Sequence, residues 1–326
     1  MQEELPSPDP LQTLDDRVSD AATDNWVDRY APTGMRPYLR LSRADRPIGT
    51  WLLLLPCWWS LALALLHDES PRWEDLWIFF ACGIGAFLMR GAGCTWNDIA
   101  DRAIDAQVAR TRSRPIPAGQ VTVRGAIYWM IMQTGVAALI LFTFNAAAIA
   151  LGLLSLGLVA IYPFAKRFTW WPQVFLGLAF NWGALLVWAA HTGSLGLPAL
   201  FLYLSGIAWT LYYDTIYAHQ DIEDDAMIGV KSTARLFGKQ TPAWLRGFAA
   251  LTVVFMAVAV ILAIGQEADP ANLVIALLAP LAMGVHFAWQ LWQFKLNDPG
   301  LMLTIFRGNR NTGLIPLLFL GLALYV

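Results

Sequence analysis

One cluster of acidic and amide side chains has a spacing that could bind a cation. Asn97, Asp101 and Asp105 stand at positions i, i+4 and i+8, with Asp98 beside the first of them. Residues at this spacing share one face if the segment is helical. Like charges at i and i+4 oppose helix formation by roughly a few tenths of a kcal/mol, so the stripe favours a compensating cation. Carboxylate and amide oxygens without histidine or cysteine suit Mg²⁺ better than zinc or copper.

A second cluster of the same kind stands further along the chain. On a helix, Asp214, Asp221 and Asp225 would share a face with Tyr217, and Asp224 is adjacent. A single charged run is usually a solvated loop, but two matching clusters predict a common ligand. Because bound Mg²⁺ commonly keeps waters and is shared with substrate phosphates, that ligand is predicted to be a diphosphate.

Basic residues follow both clusters and could hold the outer oxygens of a diphosphate. They are Arg110, Arg112 and Arg114 after the first cluster, Lys166 and Arg167 in an intervening segment, and Lys231 and Arg235 after the second. The alternative explanation is that cytoplasmic loops of membrane proteins collect Lys and Arg whatever their function.

The rest of the chain is too apolar for a soluble protein. Of its 326 residues, 57% are hydrophobic and only 14% are charged, whereas an average soluble domain carries about 25% charged residues. The formal net charge of −2 lacks the basic surplus that nucleic-acid binding needs, so no nucleic-acid partner is predicted. Cys57, Cys82 and Cys94 lie in or beside apolar stretches without metal-ligand spacing and are interpreted as packing residues.

Nine apolar stretches approach the length of about 20 residues that a membrane-spanning helix needs. They are residues 47–66, 76–96, 125–144, 146–165, 172–191, 198–217, 243–265, 271–293 and 311–326. The predicted fold is therefore all-α, a polytopic membrane bundle of about nine transmembrane helices surrounded by membrane lipid.

The distribution of basic residues predicts the orientation of this bundle. Of the 22 Lys and Arg residues, 20 fall in the N-terminal tail or in segments on the same side, one of which is 231–246, and the exceptions are Arg72 and Arg90. Cytoplasmic loops are enriched in these residues. We therefore predict a cytoplasmic N-terminus and an active site at the cytoplasmic rim, where both acidic clusters lie.

The first 40 residues differ in character from the remainder. We interpret residues 1–40 as an acidic, flexible cytoplasmic tail and residues 41–326 as the transmembrane domain. The first 30 residues lack the apolar stretch of a secretory signal and the arginine-rich, acid-poor composition of a mitochondrial transit peptide. We therefore predict a multi-pass protein of the bacterial inner (plasma) membrane.

An apolar bundle, Mg²⁺ and a diphosphate together indicate a long isoprenoid diphosphate, with its head at the rim and its tail among the helices. The motifs around the clusters resemble those of the UbiA superfamily of intramembrane prenyltransferases, over nearly everything from residue 40 onward. The resemblance rests on Asn97-x-x-x-Asp101-x-x-x-Asp105 with Arg110-Thr111-x-x-Arg114-Pro115, on Tyr213-Asp214-Thr215-x-Tyr217-Ala218-x-x-Asp221-x-x-Asp224-Asp225, and on Arg43-x-Asp45-Arg46-Pro47 and Tyr162-Pro163-x-x-Lys166-Arg167.

The resemblance implies a role for each group of residues. Two aspartates of each cluster would be catalytic and, with Asn97, would bind Mg²⁺ and through it the diphosphate: Asp101, Asp105, Asp221 and Asp225. The basic residues implied to hold the departing diphosphate are Lys166, Arg167, Arg110, Arg114 and Lys231. Secondary positions around the clusters are Asp98, Asp214, Tyr217 and Asp224.

The resemblance also implies an aromatic acceptor. The Tyr-Asp-Thr-x-Tyr-Ala run and the Arg90-Gly-Ala-Gly-Cys-x-x-Asn-Asp run look most like the ubiquinone-pathway members, whose substrates are polyprenyl diphosphate and 4-hydroxybenzoate. The acid would be attacked ortho to its hydroxyl, and its candidate binding residues are Arg43, Arg46, Arg90 and Tyr162. An intramembrane arginine such as Arg90 is costly enough to be a functional candidate by itself.

Other functions stay open from the sequence. The Asp motifs do not separate 4-hydroxybenzoate from dihydroxynaphthoate, haem or chlorin acceptors. A cation transporter would place its ionisable groups near the bilayer midplane on broken helices, whereas these clusters lie at the ends of spans. A structural or assembly protein would not need two Asp clusters, and no particular protein partner is predicted.

Overall fold

The computed structural model describes residues 25–108, 111–227, 229–265 and 269–325, apart from the side chains of Asp221, Glu223, Asp224 and Asp225. Its helices in chain order are α1 (Trp26–Tyr30), α2 (Arg36–Leu41), α3 (Ile48–Asp68), α4 (Trp73–Asp105), α5 (Val123–Leu141), α6 (Ala146–Phe168), α7 (Pro172–Phe180), α8 (Gly183–Thr192), α9 (Leu197–Ala218), α10 (Ile222–Met227), α11 (Thr233–Phe237), α12 (Thr241–Ile264), α13 (Pro270–Gln293) and α14 (Pro299–Ala323). Two 3₁₀ turns span His219–Asp221 and Gly238–Gln240. None of the described residues is in a β-strand, and the predicted all-α fold is confirmed.

Seven stretches of the described chain are long and apolar enough to cross a membrane: α3, α4, α5, α6, α7 with α8, α11 with α12, and α13. The other two predicted spans correspond to α9 and α14. Helix α14 begins at Pro299 rather than at residue 311 and carries Arg307 and Arg310. A multi-pass helical membrane protein is thus confirmed, whereas the total of nine spans and the cytoplasmic N-terminus stay predictions.

The predicted span over residues 172–191 is interrupted near its middle. Helix α7 ends at Phe180 and α8 begins at Gly183. Between them Asn181 is fully buried, and its Nδ2 donates to the Gly177 carbonyl and to the Thr210 hydroxyl, each at 2.8 Å. A side-chain amide that binds backbone locally competes with the regular helical hydrogen bonds, so the break follows from Asn181.

The chain divides into two compact units. Unit 1 comprises the residues up to 47 and residues 91–132. Its apolar core contains Leu41, Ile99, Val121 and Ala126. The indole N–H of Trp26 donates to the Ala44 carbonyl at 2.8 Å. Helix α1 is therefore held by tertiary contacts within this unit, and the boundary at residue 40 stays a prediction.

Unit 2 comprises residues 48–90 and 133–326. Its core contains large, fully buried aromatic side chains, among them Trp59 and Trp209. The Trp59 indole donates to the Gly313 carbonyl at 2.7 Å, and the Trp209 indole donates to Asn309 Oδ1 at 2.9 Å. Because a buried indole N–H needs an acceptor, these bonds fix α3 and α9 against α14 and so position the residues that α9 carries.

A polar cluster lies in unit 2, apart from both predicted acidic clusters. The buried ring of His191 has Nδ1 at 2.5 Å from Asp75 Oδ1 and Nε2 at 3.0 Å from Asp68 Oδ1. Arg72 Nη2 contacts Asp68 Oδ2 at 2.9 Å, and the Arg72 backbone N–H donates to Asp75 Oδ2 at 2.7 Å. His191 therefore connects the ends of α3, α4 and α8.

We expect the His191→Ala substitution to lower the free energy of unfolding by about 3–5 kcal/mol, because it leaves the Oδ1 atom of the buried Asp75 carboxylate without the imidazole that contacts it. Chemical denaturation of the purified protein in detergent measures this. The control is His67→Ala, since the exposed His67 makes one hydrogen bond among the described residues, to the Ala263 carbonyl at 2.7 Å, and such a bond is worth about 1 kcal/mol. Equal destabilisation by the two substitutions would contradict the assigned role of the cluster.

Candidate functional site

The first acidic cluster lies on the last turns of α4, within unit 1. The helix continues to Asp105, so the predicted helical spacing of Asn97, Asp101 and Asp105 is realised. Asp101 is completely buried, Asp105 is 4% exposed and Asn97 is half-buried. Burial of two carboxylates so close together is unfavourable unless positive charge neutralises them.

Part of that positive charge comes from two arginines of the same unit. Arg114 Nη1 lies 2.8 Å from Asp105 Oδ2 and 3.5 Å from Asp98 Oδ1. Arg43 Nη2 lies 2.6 Å from Asp98 Oδ1, and Asp98 is fully buried. Arg114 therefore contacts a predicted metal ligand directly, and Arg43 contacts Asp98, one of the predicted secondary residues.

The backbone at Arg43 explains how this arginine reaches Asp98. Arg43 has a φ of 57°, in the left-handed region, and follows the end of α2. The Ala44 N–H bonds to the Leu39 carbonyl and the Arg43 N–H bonds to the Arg40 carbonyl, each at 3.0 Å. This is a Schellman motif, in which glycine is the usual residue at the Arg43 position. The ion pair with the buried Asp98 offsets the cost of an arginine there, about 1–2 kcal/mol.

The remaining oxygen of Asp98 bears on whether unit 1 fits a metal ion. Within the described part of the chain, Asp98 Oδ2 is buried without a hydrogen-bond partner. Burying a polar atom without a hydrogen bond lowers the stability of a protein by about 1–3 kcal/mol, or more if the group is charged. Among the described side chains no group of three His, Cys, Asp or Glu is close enough to hold a metal ion. The oxygen donors fit Mg²⁺ chemically, and the Asp98 Oδ2 atom is an acceptor that no described group uses.

The second acidic cluster differs in shape from the expected single helix. Helix α9 ends at Ala218, the 3₁₀ turn His219–Asp221 follows, and α10 begins at Ile222. A 3₁₀ turn has three residues per turn rather than 3.6, so Asp214 and Tyr217 do not continue on one regular α-helical face to Asp225. The side chains of Asp221, Asp224 and Asp225 lie outside the described residues.

His219 holds this turn in place. Its Nδ1 donates to the Thr215 carbonyl at 2.8 Å, and its Nε2 lies 3.3 Å from the Thr241 hydroxyl. Burial lowers the pKa of His219, because desolvation disfavours the charged imidazolium. A neutral, buried ring therefore connects the end of α9 to the beginning of α12.

Arg90 is a half-buried basic residue at the end of unit 2's first segment, close to Phe180 and Asp214. Its guanidinium lies 5.3 Å from the centre of the Phe180 ring and interacts electrostatically with Asp214. Within the residues the structure describes, it forms no ion pair, and its Nε is buried without a hydrogen-bond partner. A Cβ on Gly49 would lie 2.3 Å from this Nε, so glycine there admits the guanidinium. Arg90 thus has hydrogen-bonding capacity for an anion.

The other candidates for binding the aromatic acid are placed differently. Arg46 Nη2 contacts the buried carboxylate of Asp45 at 3.1 Å, in unit 1. Tyr162 is half-buried on α6, one turn before Lys166. Among the three candidate arginines, Arg43 and Arg46 already have carboxylate partners and Arg90 has none within 4 Å in the described chain.

Three predicted diphosphate-binding residues belong to unit 2. The Lys231 backbone N–H donates to the Lys166 carbonyl at 3.1 Å, which joins the end of α6 to the segment before α11. Lys231 Nζ lies 6.0 Å from the Trp170 ring centre and donates to the Phe168 carbonyl at 3.4 Å. Arg167, next to Lys166, lies 5.0 Å from the Phe164 ring. Arg110 lies outside the described residues.

The sequence motifs do not include the aromatic side chain at the centre of this basic group. The Trp170 ring contacts two cations: the guanidinium of Arg235 lies 5.4 Å from its ring centre, and Lys231 Nζ lies 6.0 Å from it. Cation–π contacts of this kind hold a cation without neutralising it. The Trp170-Trp171-Pro172 run, which begins three residues after Arg167, is the only sequence signal that could have indicated it.

An all-α membrane fold with buried carboxylates at the end of α4 agrees with the class of intramembrane prenyltransferases that the sequence motifs indicate. The chain belongs to the UbiA prenyltransferase family, whose sequence model matches residues 53–324. It is 45% identical over 320 residues to the mitochondrial 4-hydroxybenzoate polyprenyltransferase of Drosophila melanogaster, covering 96% of this chain and 78% of that one. It is 46% identical over 295 residues to the enzyme of that name from Homo sapiens, covering 90% and 76%.

A third relative of the same name, from Aedes aegypti, is 47% identical over 289 residues, which cover 88% of this chain and 63% of the relative's length. Solved structures share the fold. A UbiA homologue from Archaeoglobus fulgidus bound to GPP and Mg²⁺ has a TM-score of 0.63 at 18% identity and covers 89% of this chain and 100% of that one. The apo UbiA homologue from Aeropyrum pernix K1 has a TM-score of 0.60 at 23% identity, covering 84% and 96%.

These relatives correct the predicted location. The matching 4-hydroxybenzoate polyprenyltransferases of insects, mammals and a plant are named as mitochondrial proteins. The prediction of a bacterial inner (plasma) membrane is therefore wrong. It rested on the composition of the N-terminal residues, which says little about the membrane in which the apolar helices are inserted.

Proposed function

We propose that this protein transfers a polyprenyl group from a polyprenyl diphosphate to 4-hydroxybenzoate, ortho to the hydroxyl, in ubiquinone biosynthesis. The observation that carries the proposal is identity of 45–48% along most of the chain to enzymes of that name. The relatives' names also support a mitochondrial membrane, and the family match supports a catalytic region that includes residues 53–324.

The proposed metal is Mg²⁺, for which each acidic cluster offers oxygen ligands of its own. Asn97, Asp101 and Asp105 would serve in unit 1, and Asp221 and Asp225 in unit 2. When bound, the ion would neutralise the diphosphate and make it a better leaving group. The unsatisfied Asp98 oxygen and the Mg²⁺ in the name of the Archaeoglobus fulgidus structure support this assignment.

The basic residues would bind the outer oxygens of the diphosphate as the allylic carbon–oxygen bond breaks. The candidates in unit 2 are Lys166, Arg167 and Lys231, and the candidates in unit 1 are Arg110 and Arg114. The bonding electrons leave with the diphosphate, the ring carbon ortho to the hydroxyl bonds the allylic carbon, and a proton leaves that ring carbon. Cations in a site without water stabilise the departing charge more strongly than they would in solution.

We propose Arg90 as the residue that binds the acceptor's carboxylate. Arg43 and Arg46 contact Asp98 and Asp45, whereas Arg90 has buried hydrogen-bonding capacity that no described residue uses. A guanidinium matches the geometry of a carboxylate with two parallel hydrogen bonds. Phe180, against the same guanidinium, supplies an apolar surface suited to an aromatic acid.

The test is a prenyl-transfer assay in membranes with radiolabelled 4-hydroxybenzoate and a polyprenyl diphosphate. We expect lipid-soluble product with Mg²⁺, no product above background with EDTA, and full recovery when Mg²⁺ is restored. Product that forms equally well in EDTA would contradict the metal assignment. Prenylation of a dihydroxynaphthoate in preference to 4-hydroxybenzoate would contradict the proposed acceptor.

A further inference from the structure

A groove runs between α12 and α13 in unit 2, and none of its residues belongs to the proposed active site. It has a volume of about 320 Å³ and is lined by Arg246, Ala249, Val253, Gly284, Phe287 and Leu291. This volume falls in the range of ligand sites, about 300–1,000 Å³. A Cβ on Gly284 would lie 3.2 Å from Val253 Cγ2, so a side chain at this position would press against Val253, which also lines the groove.

The surroundings of this α12–α13 groove are those of a lipid-facing surface. Phe287 at its floor is buried, while the neighbouring Val254, Leu281 and Val285 are exposed apolar side chains on helices long enough to span a membrane. In a bilayer such residues contact acyl chains rather than water. An apolar groove that opens on this surface fits a hydrocarbon chain.

One end of the groove carries a positive charge at the level of the lipid headgroups. Arg246 is exposed, and within the described part of the chain it has no ion pair or hydrogen bond. Exposed tryptophans lie at the same ends of the two helices: Trp244 on the first turn of α12, and Trp289 and Trp292 on the last turns of α13. Such tryptophans are typical of the membrane–water interface.

We propose that the α12–α13 groove binds an anionic phospholipid. One acyl chain lies along Ala249, Val253 and Gly284, and the phosphate of the headgroup contacts Arg246. The apolar residues of the groove suit the acyl chain, and the Arg246 guanidinium suits the negatively charged headgroup. Basic residues beside grooves between membrane helices attract anionic lipids. This site is separate from the residues of the proposed function and is tested without either substrate.

Native mass spectrometry of the purified full chain in detergent tests the proposal. We expect the protein to retain one phosphatidylglycerol at concentrations where phosphatidylcholine is not retained. Arg246→Gln should weaken phosphatidylglycerol binding about fivefold, equivalent to about 1 kcal/mol. Gly284→Leu should abolish retention of the bound lipid, because the added side chain fills the groove.

Two matched controls separate the groove from general effects. Gly247→Leu adds the same side chain on α12 where no atom lies within 4 Å of the Cβ position. Arg307→Gln removes an exposed charge from α14. Both should retain phosphatidylglycerol like the unmodified protein. If Gly284→Leu does not fold, the phosphatidylglycerol binding of Arg246→Gln alone tests the proposal.

The proposal is overturned by any of several outcomes. These are phosphatidylglycerol binding that is unchanged in Arg246→Gln, a loss of binding in Arg307→Gln as large as that in Arg246→Gln, and retention of phosphatidylcholine equal to that of phosphatidylglycerol. Displacement of the lipid by a polyprenyl diphosphate would mark the groove as a substrate site instead. A dimer whose formation excludes the lipid would mark it as an interface between copies.

Discussion

Asp101→Asn is expected to reduce the rate of prenyl transfer at least 10²–10³-fold, roughly the cost of removing one preorganised charged group from an active site. Asp101 is completely buried at the middle of the α4 stripe, and asparagine keeps its size while removing its charge. The measurement is the initial rate in membranes, normalised to the amount of folded protein. If Asp101 is a metal ligand, the residual rate should rise as Mg²⁺ is increased.

The matched control is Asp298→Asn. Asp298 is exposed, and its carboxylate accepts from the Leu301 N–H at 2.9 Å at the start of α14. Asparagine is an equally good helix cap, so this variant should retain nearly full activity. An Asp101→Asn enzyme with more than about a tenth of the normal rate would refute the assignment of Asp101, whatever the control shows.

Arg90→Gln is expected to raise the KM for 4-hydroxybenzoate about 10²-fold, because removing one partner of a buried, hydrogen-bonded charge pair costs about 2–5 kcal/mol. The KM for the polyprenyl diphosphate should change little. Steady-state rates measured with each substrate varied in turn separate the two. Arg90→Lys keeps the charge but cannot form the two parallel hydrogen bonds, so its KM for 4-hydroxybenzoate should lie between those of Arg90→Gln and the unmodified protein.

A purely structural role for Arg90 makes a different prediction. An acceptor without a carboxylate, such as phenol, should be used equally by Arg90→Gln and the unmodified enzyme if Arg90 acts only on the carboxylate. Arg307→Gln, on the exposed surface of α14, controls for the loss of one charge. A parallel loss with both acceptors would show that Arg90 supports the fold and does not bind the acid.

The contribution of local sequence is clearest in α4. An apolar run followed by Asn97, Asp101 and Asp105 at helical spacing predicts one continuous helix and one common face, and the structure has both. Residues at this spacing share a face because of the regular geometry of the helical backbone, whatever packs around it. The same reasoning predicted one helical face for the second cluster, but a 3₁₀ turn lies between α9 and α10. The buried His219 ring of this turn bonds to Thr215 and lies against Thr241.

The amino-acid sequence by itself determined the all-α membrane fold, the helical register of the first acidic cluster and the family, because composition, periodicity and motif spacing are properties of neighbouring residues. The tertiary structure alone decided which arginine is engaged and which is available. Arg43 and Arg90 look alike along the chain, but Arg43 is bonded to Asp98, 55 residues away, while Arg90 is not bonded to any described carboxylate. Choice among distant partners depends on how the helices pack, and residue type and spacing do not encode that packing locally.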